Sequence, residues 1–491
     1  MLSFNEDGLS LLLNDAPVDP PSLEVTAADL EELAAVEAEL DQRWSEVKID
    51  PTLKRMEMLM DLLGNPERSF PVIHVAGTNG KTSTVRMIES LVRAFHRRTG
   101  RTTSPHLQLV TERISIDGVP MHPRDYVRIW REIQPYVEMV DAASEREGGP
   151  KMSKFEVLTA MAYAAFADAP VEVAVVEVGM GGRWDATNVV NADVAVVMPV
   201  GLDHTDYLGN SLAEIAGEKA GIIKSRWDVT DLLAPPDNVA IIAEQDPEAL
   251  NVILEQAIKV DAAVARAGSE FGVVDSRIAV GGQQLTLKGL GGVYEDIFLP
   301  LSGEHQARNA ACALAAVEAF FGAGSGRMLE IETVRQGFAA VQSPGRLERV
   351  RATPTVFIDA AHNPHGARAL GAALERDFDF RRLVGVVAVL GDKDARGVLT
   401  ELEPYLHEVV CTQTASPRAL HTDDLVAIAQ EIFGEERVHS AKDLPSAVAL
   451  GVSLAEEVSD YGETVSGSGV VITGSVVTAG EARTLFGKDP A

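Results

Sequence analysis

The amino-acid sequence predicts an α/β fold in two parts, a larger domain on a mostly parallel sheet followed by a smaller α/β domain. Three observations carry this. An apolar strand, Val72–Val75, runs into the glycine-bearing segment Ala76–Ser83, and beyond it Val85, Ile88, Leu91, Val92 and Phe95 recur at helical spacing; strand, glycine loop and helix open a parallel α/β unit. Val171–Val178 (broken only by Glu172 and Glu177), Val194–Val200 and Val239–Ala243 are nearly continuous apolar runs, which suit a sheet covered by helices on both faces. The same alternation restarts after Ser343-Pro344-Gly345-Arg346.

The remaining elements follow in order. Residues 1 to about 25 are acidic and proline-rich and predict a mobile tail. Leu30–Trp44 has the spacing of an amphipathic surface helix. Short, glycine-punctuated segments between Phe271 and Leu301 predict a small antiparallel insertion, and His305–Phe321 is alanine-rich and helical. After Arg346, strands are expected at Thr355–Asp359, Leu383–Leu390, Glu408–Gln413 and Val470–Thr473. Helices are expected at Asp424–Phe433 and Pro445–Val458, and a flexible loop at Gly462–Gly469. The expected division is a tail (1–25), a phosphate-loop (P-loop) ATPase domain (26–343), a connector, and a Rossmann-like C-terminal domain (351–491).

Composition excludes several function classes. With 43 Lys+Arg against 73 Asp+Glu, the formal charge is −30, so nucleic acid and anionic membrane surfaces would repel the chain. Hydrophobic content of 46% with 24% charged residues is a folding composition. Two cysteines, Cys312 and Cys411, cannot build a disulfide framework or a cysteine-rich zinc site. The segment Met1–Asp7 lacks a basic leader region, and no apolar run approaches the ~18 residues of a membrane span. The expectation is a soluble, cytoplasmic, monomeric protein with no nucleic-acid or membrane partner.

Gly77-Thr78-Asn79-Gly80-Lys81-Thr82 has the chemistry of a phosphate-binding loop. Its glycines let backbone N–H groups face phosphate oxygens, the helix start adds positive potential, and Lys81 adds a full charge. The strict eight-residue pattern is not met, because Val75 stands where it requires glycine, so the strand–loop–helix context carries the reading. Glu177, at the carboxyl end of an apolar strand, is positioned to hold Mg²⁺ on nucleotide phosphates; a structural pair with Arg183 is the plainer alternative. The loop Gly179–Asn188 permits close backbone approach to a ligand. Taken singly, His204 reads as a structural histidine and Lys219 as a surface ion-pair lysine.

Together these segments resemble the folylpolyglutamate synthase/dihydrofolate synthase family, within the superfamily of ATP-dependent Mur-type amide ligases. The resemblance runs from about Ile49 to Gly480. It rests on Gly77–Lys81, Ser104-Pro105-His106-Leu107 with Glu112-Arg113, Lys154-Phe155-Glu156, Glu177–Asn188, Asp203-His204, Glu218–Gly221, Pro344-Gly345-Arg346, Asp359–Pro364 and Asp392-Lys393-Asp394. It implies that Thr78, Asn79, Gly80, Lys81 and Thr82 hold ATP phosphates, with Asn309, Arg346 and Asp359 also on ATP. It implies Mg²⁺ at two sites from Ser104, Glu177, His204 and Lys219, the lysine in carbamylated form, and a catalytic group of Lys81, Lys219, His204 and Glu177. Asp50, Ser153, Phe155, Trp184, Asp185 and Ala186 match positions around a pterin-bearing acceptor, with Phe155 stacking and Asp185 hydrogen-bonding to it. His362 and Lys393 match positions facing the incoming glutamate. Three departures stand out: Thr82 after the loop lysine, Ala360 in place of a glycine, and the insertion Ser144–Pro150 beside Ser153.

The implied reaction joins L-glutamate to dihydropteroate, and to reduced folates, through an acyl phosphate made from ATP. Activity on folates alone is the alternative within the family. A cell-wall Mur ligase is disfavoured because only 76 residues, helical in pattern, precede Gly77. A non-catalytic nucleotide switch would have no use for Ser104, Glu177, His204 and Lys219 together.

Overall fold

A computed structural model describes residues 24–44, 50–225, 238–457 and 467–491. Nearly all of the acidic tail and most of the Gly462–Gly469 loop lie outside the described residues; strand has already begun by Ser468. Among the described residues, eight strands form the larger sheet. Their spatial order is Val119–Pro120, Ile114–Ile116, Thr99–Thr102, Val173–Glu177, Val72–Ala76, Val194–Val197, Val239–Ile242 and Ala263–Arg266. The last six run parallel and the first two extend the edge antiparallel.

The apolar runs are buried on both faces, as their composition requires. Ile73, Val75, Val173, Val175, Val194 and Val196 pack with the helices Lys81–Ala94 and Glu304–Phe320 on one side. Val72, Ala174 and Val176 face the layer of Lys54–Leu62, Pro123–Arg146 and Lys154–Asp168 on the other. The first helix spans Ala27–Leu40 rather than Leu30–Trp44, because Thr26 and Asp29 form a reciprocal capping box that starts it early. The strand expected to reach Val200 stops at Val197. Met198 N donates to Ala76 O at 2.7 Å, and Pro199 O accepts from Thr78 N at 2.9 Å, so this segment bends over the phosphate loop instead of extending the sheet.

The insertion is a three-stranded antiparallel sheet, Gly272–Ala279, Gly282–Lys288 and Val293–Leu299. The C-terminal sheet has the order Glu348–Ala352, Thr355–Ile358, Ser468–Thr473, Arg382–Val387, Glu408–Cys411 and Val438–Ser440, parallel except for the first pair. The connector therefore feeds directly into the antiparallel edge strand at Glu348. Ser144–Arg146, expected in an insertion, instead complete the last turn of the helix Pro123–Arg146. No helix among the described residues is long and apolar enough to cross a membrane.

The two domains meet along a seam at Leu107-Gln108. Gln108 Nε2 donates to Lys488 O at 2.7 Å, and Arg483 donates to Gln108 Oε1 at 3.1 Å. Gly480 lies so close that a Cβ there would collide with the Leu107 carbonyl, an overpacking that must displace backbone. Gly480→Ala is therefore expected to spread the domains, read as a larger radius of gyration by small-angle scattering with an unchanged circular dichroism spectrum. An unaltered radius would mean that the seam relaxes locally.

Candidate active site

The register Val75↔Glu177 and Val75↔Val196 brings the carboxyl ends of three neighbouring strands to one edge, where ligand crevices of parallel sheets form. A cavity of about 210 Å³ opens there, between the two domains. It is lined by Thr78, Asn79, Gly80, Lys81, Thr82, Ser104, Glu177, His204, Lys219 and Asn309 from the first domain. Arg346, Asp359 and His362 come from the connector and the second.

The loop is built for close approach. Gly80 precedes the helix Lys81–Ala94 at φ +86°, and a Cβ there would press on Asn309 Oδ1 at 2.8 Å; glycine tolerates both demands. Thr78 Oγ1 is bound on both sides of Gly201, accepting from its N–H at 2.9 Å and donating to its carbonyl at 3.0 Å. Lys81 Nζ donates to Gly77 O at 2.9 Å and Thr78 O at 3.1 Å. Burial pulls the Lys81 ammonium below the usual lysine range, and Glu177 and Asp203 pull it back up. Glu177 is 3% exposed. Its Oε1 accepts from Thr82 Oγ1 at 2.8 Å and its Oε2 from Ser104 N at 3.4 Å. Burial raises this carboxyl, with Lys81 opposing.

Lys219 is a buried amine rather than a surface ion pair: Nζ donates to Gly77 O at 3.0 Å, and burial followed by the charge of Lys81 pushes it down to about 7. Arg183, the alternative partner of Glu177, lies instead 3.8 Å from Glu218. His204 adopts φ 52°, and its ring is partly exposed 3.9 Å from Asp203. Burial lowers it to about 4 despite that carboxylate. Burial would raise Asp203 in turn, but His204 and Lys393 together hold it at about 2. The oxygen donors of Glu177, Thr82 and Ser104 suit a hard cation. Among the described residues, no group of three or more His, Cys, Asp or Glu is placed to hold a metal ion.

The second domain closes the crevice with specific contacts. Lys393 Nζ lies 3.3 Å from Asp203 Oδ1, and Asn363 Nδ2 donates to Asp203 Oδ2 at 3.2 Å and to Asn79 Oδ1 at 3.3 Å. Asn79 Nδ2 donates to His365 Nδ1 at 2.9 Å. Asp359 accepts from Leu347 N and Ala361 N, both at 2.8 Å. Arg346 has no ion pair among the described residues and is left available to a ligand. His362 Nδ1 donates to Ala360 O at 3.0 Å, and burial lowers its pKa to about 4.

Six expected acceptor-site residues lie off the cavity, beside the Gly179–Gly182 loop or beyond it. Phe155 packs its ring on Gly179, and Trp184 is half-buried near Gly181. Asp185 braces the loop: Oδ1 takes Thr187 N and Oγ1, and Oδ2 takes Met180 N at 2.8 Å. Ser153 likewise caps the helix Lys154–Asp168 by accepting from Glu156 N at 3.1 Å. Ala186 is buried, and Asp50 pairs with Arg55. Thr187 Oγ1 is also 2.9 Å from Nε2 of the fully buried His74, which ties the loop to the central strand. Sequence reasoning missed His305, Gln306 and His365, which line the cavity. Their signal was His305, Gln306 and Asn309 recurring at i, i+1 and i+4 on an otherwise alanine-rich helix.

This fold and cavity define an ATP-dependent ligase of the Mur type. Residues 137–317 match the Mur ligase middle domain and residues 345–475 the Mur ligase, glutamate ligase domain. The dihydrofolate synthase/folylpolyglutamate synthase of Mycobacterium tuberculosis is 59% identical over 487 residues, 97% of this chain and 99% of that protein. The enzyme of that name from Escherichia coli is 33% identical, over 77% and 81% of the two chains. Among solved structures, the M. tuberculosis folylpolyglutamate synthase complexed with ADP superposes with a TM-score of 0.89 at 59% identity, covering 94% of this chain and 100% of that one. E. coli FolC in complex with DHPP and ADP gives 0.77 at 30% identity, covering 93% and 97%. The chain belongs to the dihydrofolate synthase/folylpolyglutamate synthase family.

His74 yields a pH prediction. Burial lowers it to about 3 from 6.5. Between those values the unfolded chain takes up a proton that the folded chain refuses, so stability falls as pH drops, by up to about 1.4 kcal/mol per unit. His74→Gln keeps a donor toward Thr187 and is expected to shallow the fall in urea midpoint between about pH 6.5 and 5. An identical slope would assign the acid sensitivity to other groups.

Proposed function

We propose that this chain joins L-glutamate to dihydropteroate and to reduced folyl-glutamates, using ATP to activate the acceptor carboxylate. The observation that carries the reading is the convergence of Lys81, Glu177, Ser104, His204 and Lys219 on one cavity closed by Arg346 and Asp359. A carboxylate is unreactive toward amines because hydroxide leaves poorly. Its attack on the γ-phosphorus releases ADP and forms an acyl phosphate, and the glutamate amine then attacks the acyl carbon and releases phosphate.

The roles of the residues are as follows. Backbone N–H groups of Thr78–Thr82 cradle the phosphates, and Lys81, kept charged by buried Glu177, neutralises the transferring group. Arg346, with no ion pair among the described residues, reaches the nucleotide from the connector, and Asn309 and Asp359 bound it on either side. Glu177, Ser104, Thr82 and His204 would hold Mg²⁺, which supplies charge neutralisation on the phosphates when bound. Lys219, near-neutral and buried, is suited to add CO₂ and release a proton, giving an anionic carbamate as a further oxygen ligand for a second ion. The acceptor lies along Gly179–Ala186, over Phe155 and Trp184, with Asp50, Ser153 and Asp185 holding its walls. Lys393 and His362 face the glutamate carboxylates. Closure of the second domain excludes water from the acyl phosphate. No targeting or membrane role is needed for this chemistry, and the cytoplasm is the proposed location.

The test is incorporation of labelled L-glutamate with ATP and Mg²⁺, offering dihydropteroate and tetrahydrofolate separately. Both are expected to accept; incorporation on tetrahydrofolate alone would reduce the reading to the single activity. Lys81→Ala is expected to lower kcat/KM at least about 100-fold on either acceptor. ATP hydrolysis indifferent to acceptor and glutamate would overturn the ligase assignment.

A further inference from the structure

Two helices from different domains wall the cavity: Glu304–Phe320, which presents Gln306 and Asn309, and Pro364–Asp377, which presents His365 and Ala373. At its start, Pro364–Asp377 is held to the phosphate loop through Asn363 and Asn79. Its other end is held by a separate polar joint, remote from any group that touches the reacting atoms. Asp377 Oδ2 accepts from Gly303 N at 2.6 Å, at the cap of Glu304–Phe320, and its Oδ1 accepts from Arg376 Nε at 2.6 Å. Arg376 Nη2 donates to Gln283 Oε1 at 2.7 Å. Gln283, fully buried in the antiparallel insertion, donates from Nε2 to Leu301 O at 2.8 Å and Gly303 O at 2.9 Å.

Both main-chain polar groups of Gly303 are thus held, one by each domain. The Asp377 side chain is 3% exposed, and a buried, charge-assisted hydrogen bond of this kind fixes geometry more tightly than a surface pair. Gly303 lies two residues before His305, which lines the cavity, and a Cβ on Gly303 would collide with the His305 ring. The joint therefore abuts a side chain that lines the cleft.

We propose that Gln283, Arg376 and Asp377 are positioning residues for the nucleotide. They lock the first turn of one wall helix to the last turn of the other and so set the width of the cleft in which Asn309 and Arg346 act. This rests on the reading of the cavity as a nucleotide site. None of the three lines the cavity, so their effect is expected on nucleotide affinity rather than on the chemical step.

The experiment is calorimetric binding of ADP to the full chain and to Asp377→Ala, Arg376→Gln and Gln283→Ala, with steady-state kinetics alongside. The ADP Kd and ATP KM are expected to rise about tenfold in each, as the joint loses its charge-assisted hydrogen bonds. The acceptor KM and the kcat at saturating ATP should stay within about threefold of wild type, a split that general loosening would not give. The double variant of Gln283 and Arg376 should bind ADP no more weakly than the poorer single one, because both act through one network. If Asp377→Ala fails to fold, the half-exposed Arg376 variant decides. ADP affinity within about twofold of wild type in the folded variants would overturn the proposal, as would wild-type protein that binds no ADP. A wild-type chain that binds ADP but ligates no glutamate would sink the ligase reading alone, leaving the joint to be judged by ADP affinity.

Discussion

The opposite charges of Lys81 and Glu177, set on the floor of one cavity, are the constraint around which this molecule is organised. Each charge would be expelled from the low-dielectric floor of the cavity if it stood alone, because desolvation drives an isolated ammonium or carboxylate toward neutrality. Their opposite signs oppose that drift, and hydrogen bonds from Thr82 and Ser104 complete the carboxylate. The parallel sheet exists in the right register to bring them together, since adjacent strands end level at Val75 and Glu177. Burial, and then the nearby Lys81 charge, takes much of the basicity of Lys219.

The second domain completes this electrostatic arrangement. Asp203, beside His204, is shared with Lys393 and Asn363 across the crevice, so a first-domain carboxylate is balanced by a cation from the second. The connector adds Arg346 at the boundary, and the backbone N–H groups of Leu347 and Ala361 hold Asp359 in place. A site assembled from two bodies in this way is complete only when they are together, a natural means of keeping water from a hydrolysable intermediate.

The sequence made much of this legible. Apolar strands buried on both faces announce themselves as continuous runs, and the glycine loop between strand and helix marks the nucleotide cradle. The short strands Thr99–Thr102 and Val438–Ser440 were not legible, because their polar residues carry no apolar run and only their neighbours make them strands. Asp185 illustrates a different limit: a carboxylate in a glycine loop reads as a ligand-binding group, and its hydrogen bonds to Met180 and Thr187, which brace that loop, are set by the fold. Sequence reveals that an acceptor group is present but not how much of it the fold already engages. The depressed basicity of Lys219 is equally a product of packing, since nothing adjacent in the chain buries it.

The strand Val173–Glu177 and the loop that continues it have a consequence for how such an enzyme diversifies. On the proposed reading, Glu177 serves the phosphates, while Gly179–Ala186, a few residues on, serves the acceptor with its own braces in Thr187 and His74. Substitutions among Phe155, Trp184 and their neighbours would then retune which acid is admitted without touching the phosphate cradle.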